Sequence, residues 1–356
     1  MRHLLFGRKA RFEEVASGPA AGPLVKRRAV VLGGAAAILA GACALHAQTP
    51  KVHAVGFLAT NSPLEALTGP DPAVPAVRAF VHRLRDLGYE QGRNLRLEMR
   101  TLSGNWDKTE AVTAELMQRG VDVLVLPTSA LVARTRKVAP DVPIVMLVGS
   151  NVMETGLVQS LARPGGNLTG LGVDIDTEIE AKRLEMLLQI VPSARRVAYV
   201  GSAEELASIY GQRVVAAAQR LGVTLLHARS YKTGYKEAFE YIARERADAF
   251  VVAHGPASYS FRRQIGELAA QSGIPGSCAH GETVAHGCLT SYGASLEHVF
   301  ERVADYVDKI LRGANAGDLP IEQPTVFELM LNSRTARAIG IEIPRSILLR
   351  ADRVIE

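Results

Sequence analysis

From residue 52 onward, short apolar runs alternate with longer amphipathic stretches. VHAVGFLA (52–59) has the length of a strand; TNSP follows it, and 73–87 carries a helical pattern closed by Gly88. Residues 95–100 alternate as a strand, and 106–119 predict an amphipathic helix ending at Gly120. The unbroken Val/Leu run VDVLVLP (121–127) predicts a strand buried on both faces. A short helix to about residue 138 and the run PIVMLV (143–148) complete a β-α-β-α-β-α-β series, the pattern of a parallel, doubly wound sheet.

RPGGNLTG (163–170) is turn chemistry, and the same alternation then restarts. Helices are predicted at 178–190, 206–221, 235–245 and 258–272, with Ala181, Leu184, Leu187 and Leu188 on one face of the first. Strands are predicted at 196–202, 223–229 and 248–255, with a short one starting at Ile274. The chain thus holds two parallel-sheet units of similar size.

The last segment does not fit a simple third repeat. CLTSYGA (288–294) is a strand, 296–311 is a long helix capped by Gly313, and PIEQPTVFELMLN (320–332) then adds one more strand. Phe327, Leu329 and Leu331 share one of its faces; Val326, Glu328, Met330 and Asn332 share the other. Ser333 is placed to cap a final short helix that stops at Gly340.

Ligands of parallel α/β sheets bind outside the carboxyl ends of the strands. Two such sheets with those ends facing each other enclose a cleft, and several passes of the chain between them make a hinge that permits closure. The helix at 296–311 belongs with the first lobe, and the strand at 325–331 returns to the second. The crossings are expected at 168–174, 286–292 and 317–325. The predicted division is 1–47 as leader, 52–170 plus 288–316 as lobe 1, and 171–287 plus 317–356 as lobe 2.

Charge changes the picture only by subtraction. The formal net charge is +5, but removing the seven Lys/Arg and two Asp/Glu that precede Gln48 leaves 34 of each. The body of the chain therefore has no electrostatic footprint for a polyanion, and aromatic residues make up only 5% of the sequence, with Trp106 the one tryptophan. Nucleic acid is not an expected partner. The basic residues lie in a leader in which KRR (26–28) precedes the fourteen-residue apolar run 29–42, short for a membrane span and suited to a secretory signal peptide. LAGAC (39–43) resembles a lipobox that would make Cys43 a lipidated N-terminus; cleavage after Ala47 is the other exit, and a retained membrane anchor is the bland alternative. A periplasmic location follows, with or without a lipid anchor. Cys278 and Cys288, ten apart, either bridge or stay as buried thiols.

GLVQSLARPGGNLTGL, LEMLLQIVPSARRVA, SYGASLEHVF and the ending YVDKILRGANAGDLPIEQPTVFELMLNSRTARAIGIEIPRSILLRADRVIE resemble the ABC-transporter substrate-binding family that includes the binding lipoproteins of tryptophan/tyrosine importers. The resemblance spans about 52–356. It implies the type I periplasmic-binding-protein fold, two doubly wound lobes joined by three crossovers, with a small molecule bound in the cleft and delivered to an ABC permease in the cytoplasmic membrane. It implies no cofactor, no metal and no catalysis, and the protein is expected as a monomer. The alternatives are an extracytoplasmic ligand-sensing domain and an α/β enzyme acting on a small molecule; no GxSxG, GxGxxG or GxxxxGK[ST] motif occurs in support of the latter.

Contacts should come from loops at strand carboxyl ends. In lobe 1 these hold Asn61 and Ser62, Thr128 and Ser129, and Ser150 and Asn151, small polar groups suited to a carboxylate beside free helix-start N–H groups. Simple helix capping by Ser62 and Ser129 is the competing explanation. In lobe 2 the loops hold Gly255 and Glu282. Glu282 is set to pair a ligand ammonium or to lie solvated. Tyr292 is set to cover an apolar group or to pack the hinge. His254 and His280 are expected as loop or core residues. Relatives commonly read GDPV where this chain has GSNV (149–152); Asn151 supplies no charge for an amino group there, which leaves room for a neutral or anionic solute.

Overall fold

The computed structural model describes residues 51–149, 152–153, 155–172, 178–231 and 233–356. Thirteen strands follow in chain order: β1 His53–Ala59, β2 Leu95–Thr101, β3 Val123–Thr128, β4 Ile144–Gly149 and β5 Leu168–Gly172; β6 Arg196–Gly201, β7 Thr224–Arg229, β8 Ala249–Val252, β9 Gly276–Cys278 and β10 Thr290–Ala294; then β11 Ile321–Glu322, β12 Phe327–Asn332 and β13 Arg353–Ile355. They form two sheets, of order β11-β5-β4-β3-β1-β2 and β13-β12-β10-β9-β8-β6-β7. Every pairing is parallel except β10 with β12. Two doubly wound sheets are what the β/α alternation predicts, and their two-lobed arrangement is the one that the family resemblance implies.

Both faces of each sheet are apolar because helices cover both. Along β1, Val55 and Phe57 enter one core while Ala54 and Leu58 enter the other. β6 behaves likewise, with Val197 and Tyr199 on one side and Ala198 and Val200 on the other.

The tail explains the extra strand. The helix Leu296–Leu311 follows β10 of the second sheet, yet its Val299, Phe300, Val303 and Val307 are buried against the first. Phe300 and Phe80 both pack at a tilt near Phe57, with ring centroids 6.1 and 5.6 Å away. Burial of such side chains contributes roughly 1.5–3 kcal/mol each, so the helix is anchored in the first half. The chain then lays β11 beside β5, parallel, before β12 enters the second sheet antiparallel to β10. The stretch 320–332 is thus itself a crossing with one end in each sheet. The turn at Gly165 and Gly166 holds it in place: the Gly165 N–H donates to the Gly317 carbonyl at 2.9 Å, and a Cβ on Gly317 would meet the Gly166 carbonyl oxygen at 2.4 Å.

Sheet membership corrects the division drawn from sequence. Thr290–Ala294 pairs within the second sheet and Ile321–Glu322 within the first, so the boundaries at 288 and 317 each fall about a strand too early. The passes run between Gly172 and Ile179 (173–177 lie outside the described residues), from Ala294 to Leu296, and from Glu322 to Phe327. The misplacement has a physical cause: a strand's pattern reports burial, not which neighbour it pairs with. Asn332, not Ser333, caps the helix that follows, accepting from the Thr335 N–H at 2.9 Å. Cys278 and Cys288 form a disulfide that joins the end of β9 to the residues before β10. No helix among the described residues is long and apolar enough to cross a membrane.

Candidate functional site

Each sheet has the order 2-1-3-4-5 in its own numbering, with the strand order reversing between β1 and β3 and between β6 and β8. Carboxyl ends of strands at such reversals are where loops diverge and leave space for a ligand. The first half supplies Asn61 and Ser62 after β1 and Thr128 at the end of β3. The second supplies Ser202 after β6 and His254 after β8, with His280 to Glu282 after β9.

A cavity of about 630 Å3 takes its lining from both halves: Asn61, Ser62 and Val74 from the first, Arg262, Glu282 and Met330 from the second. Ser291 and Gly293 of β10, and Glu328 of β12, line it as well. Gly293 is required by close approach, since a Cβ there would meet the Ala279 carbonyl oxygen at 2.4 Å. Gly281 lets the next turn pass β12, where a Cβ would meet the Met330 sulfur at 2.3 Å.

The second half brings charge to the cavity, and two of its charged residues reach the start of the helix packed on the first sheet: Glu328 accepts from the Ser295 hydroxyl at 2.5 Å, and Arg353 pairs with Glu297 at 3.3 Å. Glu282 has no ion pair among the described residues, and burial lifts its carboxyl above the usual range; Glu297 and Glu328 add to that, while Arg262 opposes it. It is a carboxyl short of a cationic partner, facing space.

Beneath this wall lies a buried polar row. Arg183 is 1% and Glu180 2% exposed, on the helix Ile179–Ile190. Glu180 accepts from the His254 backbone N–H at 2.7 Å and from the Tyr199 hydroxyl at 3.2 Å. The His254 and His280 rings lie 5.2 Å apart, Tyr259 meets His280 edge-on at 5.2 Å, and the Arg262 guanidinium sits 4.3 Å over Tyr259. Burial and then the Arg183 charge push the His254 imidazole down to about 4. Burial, His254 and the two arginines push His280 well below its ordinary value. Both rings are neutral at physiological pH. Ser258 stands 3.4 Å from His280, but its hydroxyl donates to the Gly255 carbonyl at 2.9 Å, so the pair fastens a loop.

The structure sorts the sequence-predicted contacts. Asn61, Ser62 and Glu282 line the large cavity. Tyr292 lies on the other side of the Gly293–Ala294 pass, in a second cavity of about 240 Å3, stacked on Phe327 at 6.1 Å and 30°. Thr128 caps the helix Ser129–Thr135, its hydroxyl accepting from the Leu131 N–H at 3.4 Å, and Ser129 is the buried first residue of that helix. The capping residue is therefore Thr128, the last residue of β3, and not Ser129, because the helix already begins at Ser129; Ser62 makes no cap either, the following turn being preceded by Pro63. Gly255 precedes the turn Pro256–Ser260, and its N–H donates to Ser258 at 3.1 Å. Ser150 and Asn151 lie outside the described residues. The Glu180–Arg183 pair was missed by sequence reasoning. Its signal was there: two opposite charges three apart inside the apolar stripe that continues through Leu184, Leu187 and Ile190. No metal-holding group of His, Cys, Asp and Glu occurs among the described residues.

Residues 71–355 match the family described as ABC transporter substrate binding protein. A tyrosine-binding protein of Clostridioides difficile is 21% identical over 279 residues, covering 75% of this chain and 77% of that one. A conserved domain protein of Vibrio cholerae has a similar structure (TM-score 0.72, 23% identity, 85% of this chain and 100% of that one). So does a Streptococcus ABC domain in complex with L-Trp (TM-score 0.69, 19% identity, 86% and 100%). At these identities the structural likeness shows the fold.

Proposed function

Because the chain belongs to the ABC transporter substrate-binding protein family, we propose that it captures its solute outside the cytoplasmic membrane, in the cavity between its two sheets, and delivers it to the membrane permease of an ABC importer. The observation that carries this reading is the cavity of about 630 Å3 with walls from both halves. A solute that touches both walls binds the closed form better than the open one, and only that differential affinity shifts the population toward closure. The closed surface is then what a permease recognises. The moving bodies would be 51–172 with 295–322, and 178–294 with 323–356, acting as a monomer. The leader before Gln48 would direct export to the periplasm, ending either in cleavage after Ala47 or in lipidation of Cys43.

In this reading Asn61 and Ser62 offer amide and hydroxyl groups from one wall, and Glu282 offers a carboxyl from the other to a cationic or hydrogen-bond-donating group. Tyr292 covers an apolar part of the solute. Thr128, Ser129 and Gly255 shape the loops behind these contacts, and Ser150 and Asn151 complete the first wall. One relative is named as tyrosine-binding and another holds L-Trp, which supports a solute of amino-acid size.

Thermal melts against amino acids, nucleosides, purines and small aromatic acids test the proposal. A solute that binds the folded protein raises the melting temperature with concentration; no shift with any of these classes would count against a capture role. Intact mass of the exported protein distinguishes the two leader fates.

A further inference from the structure

Arg183 has no task in the cavity between the halves. Its Nη1 donates to the Val252 carbonyl at 2.9 Å, while Nε and Nη2 have no hydrogen-bond acceptor among the described residues. Those two nitrogens form one edge of the guanidinium, the edge whose parallel N–H bonds meet both oxygens of a carboxylate side-on. Glu180 does not fill that edge. Its Oε1 is 3.4 Å from Nη2 and already accepts from His254. A side chain 1% exposed with two open donors is costly to keep unless something completes it.

The same arginine lines the second cavity, of about 240 Å3, with His254, Tyr292 and Phe327. Ile179, Gly293 and Ala294 at the second pass, and Pro324 at the third border it. Gly293 and Ala294 also line the larger cavity, so the two spaces meet at one strip of backbone. The chamber is smaller than the roughly 300–1,000 Å3 of ordinary ligand pockets, which limits it to a single ring or head group. The guanidinium is the charged group of its lining and can only donate, Tyr210 and Gln323 add neutral polar groups, the stacked Tyr292 and Phe327 offer flat apolar surface, and the His254 imidazole is uncharged.

We propose that this chamber seats the carboxylate of the solute, gripped side-on by Nε and Nη2 of Arg183, with a flat ring against Tyr292 and Phe327. The ligand class is a small cyclic or aromatic monocarboxylic acid. This rests on the capture reading above and deepens it by assigning the solute's charge to one place.

The test is a matched pair of probes on the unmodified protein, benzoate and benzamide, which differ in charge but little in shape. Benzoate raises the melting temperature with the logarithm of its concentration once that exceeds Kd, and benzamide is at least about tenfold weaker. Arg183→Lys, which keeps the charge and loses the fork, weakens benzoate on the order of 10- to 100-fold, as expected for a charge-assisted bidentate contact. Equal binding of the two probes overturns the proposal. So does the absence of any benzoate shift at about 50 mM, where even a millimolar Kd is visible, or unchanged benzoate binding in Arg183→Lys. If that variant fails to fold, the probe pair still decides. A solute without a carboxylate that binds tightly, and equally well to Arg183→Lys, would end this assignment and leave the capture role standing; the capture role fails only if no solute class binds.

Discussion

At the carboxyl ends of the first sheet the cleft wall includes Asn61 and Ser62, the first exposed and the second half-buried, both neutral. At the same ends of the second sheet it is made of Glu282, with His254 and His280 behind it and the Glu180–Arg183 pair beneath. Both sheets share the 2-1-3-4-5 order from which these loops leave, so the difference between the walls is chemical. Small hydroxyl and amide groups at a loop surface cost little to place and are easily re-solvated. Buried charges and neutral imidazoles cost much to place and hold one geometry. The second half is therefore the wall that defines the solute, and the first is the wall that meets it on closure. Each prediction that follows tests this asymmetry.

The largest effect is expected from Glu180→Leu. It removes the carboxylate paired with the Arg183 guanidinium and takes away the acceptor of the Tyr199 hydroxyl and the His254 N–H. Breaking one side of a buried pair costs about 3–5 kcal/mol, to be read from urea unfolding. A loss below about 1 kcal/mol would mean that the charge is already solvated and that the two walls are less different than they look.

The next effect is a pH dependence. The His254 imidazole, pushed down to about 4, stays neutral in the folded protein at pH values where the unfolded chain, with its ordinary value near 6.5, is protonated. The unfolded state then binds more protons, so stability is fully present above about pH 6.5 and is lost as the pH falls toward 4. At ~1.4 kcal/mol per pKa unit this one group accounts for a loss of at most about 3 kcal/mol, and His280 acts in the same direction. Urea midpoints between pH 7.5 and 4.5 measure it. In His254→Gln the slope should flatten; an unchanged slope would place the titrating groups elsewhere.

Much of this architecture is legible in the residues. The β/α alternation and the glycine-closed helices give both sheets, and the facing pattern along β12 anticipates that Leu329 and Leu331 turn to the core and Glu328 and Met330 to the large cavity, while Phe327 at its start lines the smaller one. What pattern cannot carry is partner choice. β10 looks like any half-buried strand, and its place beside β9 and β12 depends on segments far along the chain. β11 is two residues long and leaves no periodicity to detect. The same limit applies at the site. Asn61, Ser62 and Glu282 could be picked because loop position follows from strand ends, whereas Arg183 is distinctive only for its two open nitrogens, which depend on how Val252 and Glu180 are arranged around it.

A third prediction concerns the backbone strip shared by both cavities. Gly293→Ala puts a Cβ about where the Ala279 carbonyl oxygen stands, 2.4 Å away. The pass must shift, since the obstacle is backbone and not a flexible side chain. Overpacking of this kind costs about 1–3 kcal/mol. Because the strip borders the Arg183 chamber as well as the large cavity, solute affinity should fall by more than the loss of stability alone would suggest. Calorimetric titration beside urea unfolding separates the two.

The smallest effect on stability belongs to the first wall, and it is the sharpest check on the comparison. Neither Asn61 nor Ser62 caps a helix, so Asn61→Ala and Ser62→Ala should each change stability by no more than about 0.5 kcal/mol, the range of ordinary surface substitutions. If their role is to meet the solute when the halves close, the same changes should weaken binding several-fold, roughly 1 kcal/mol for a lost neutral hydrogen bond. The weakening should appear mainly as faster release, because contacts made only on closure hold the solute after encounter and do little to bring it in. Affinity that survives both substitutions would make the first wall a passive lid, with recognition confined to the second half of the chain. A stability loss comparable to that of Glu180→Leu would instead mean that this wall is as tightly built as its partner, and the asymmetry between the halves would be gone.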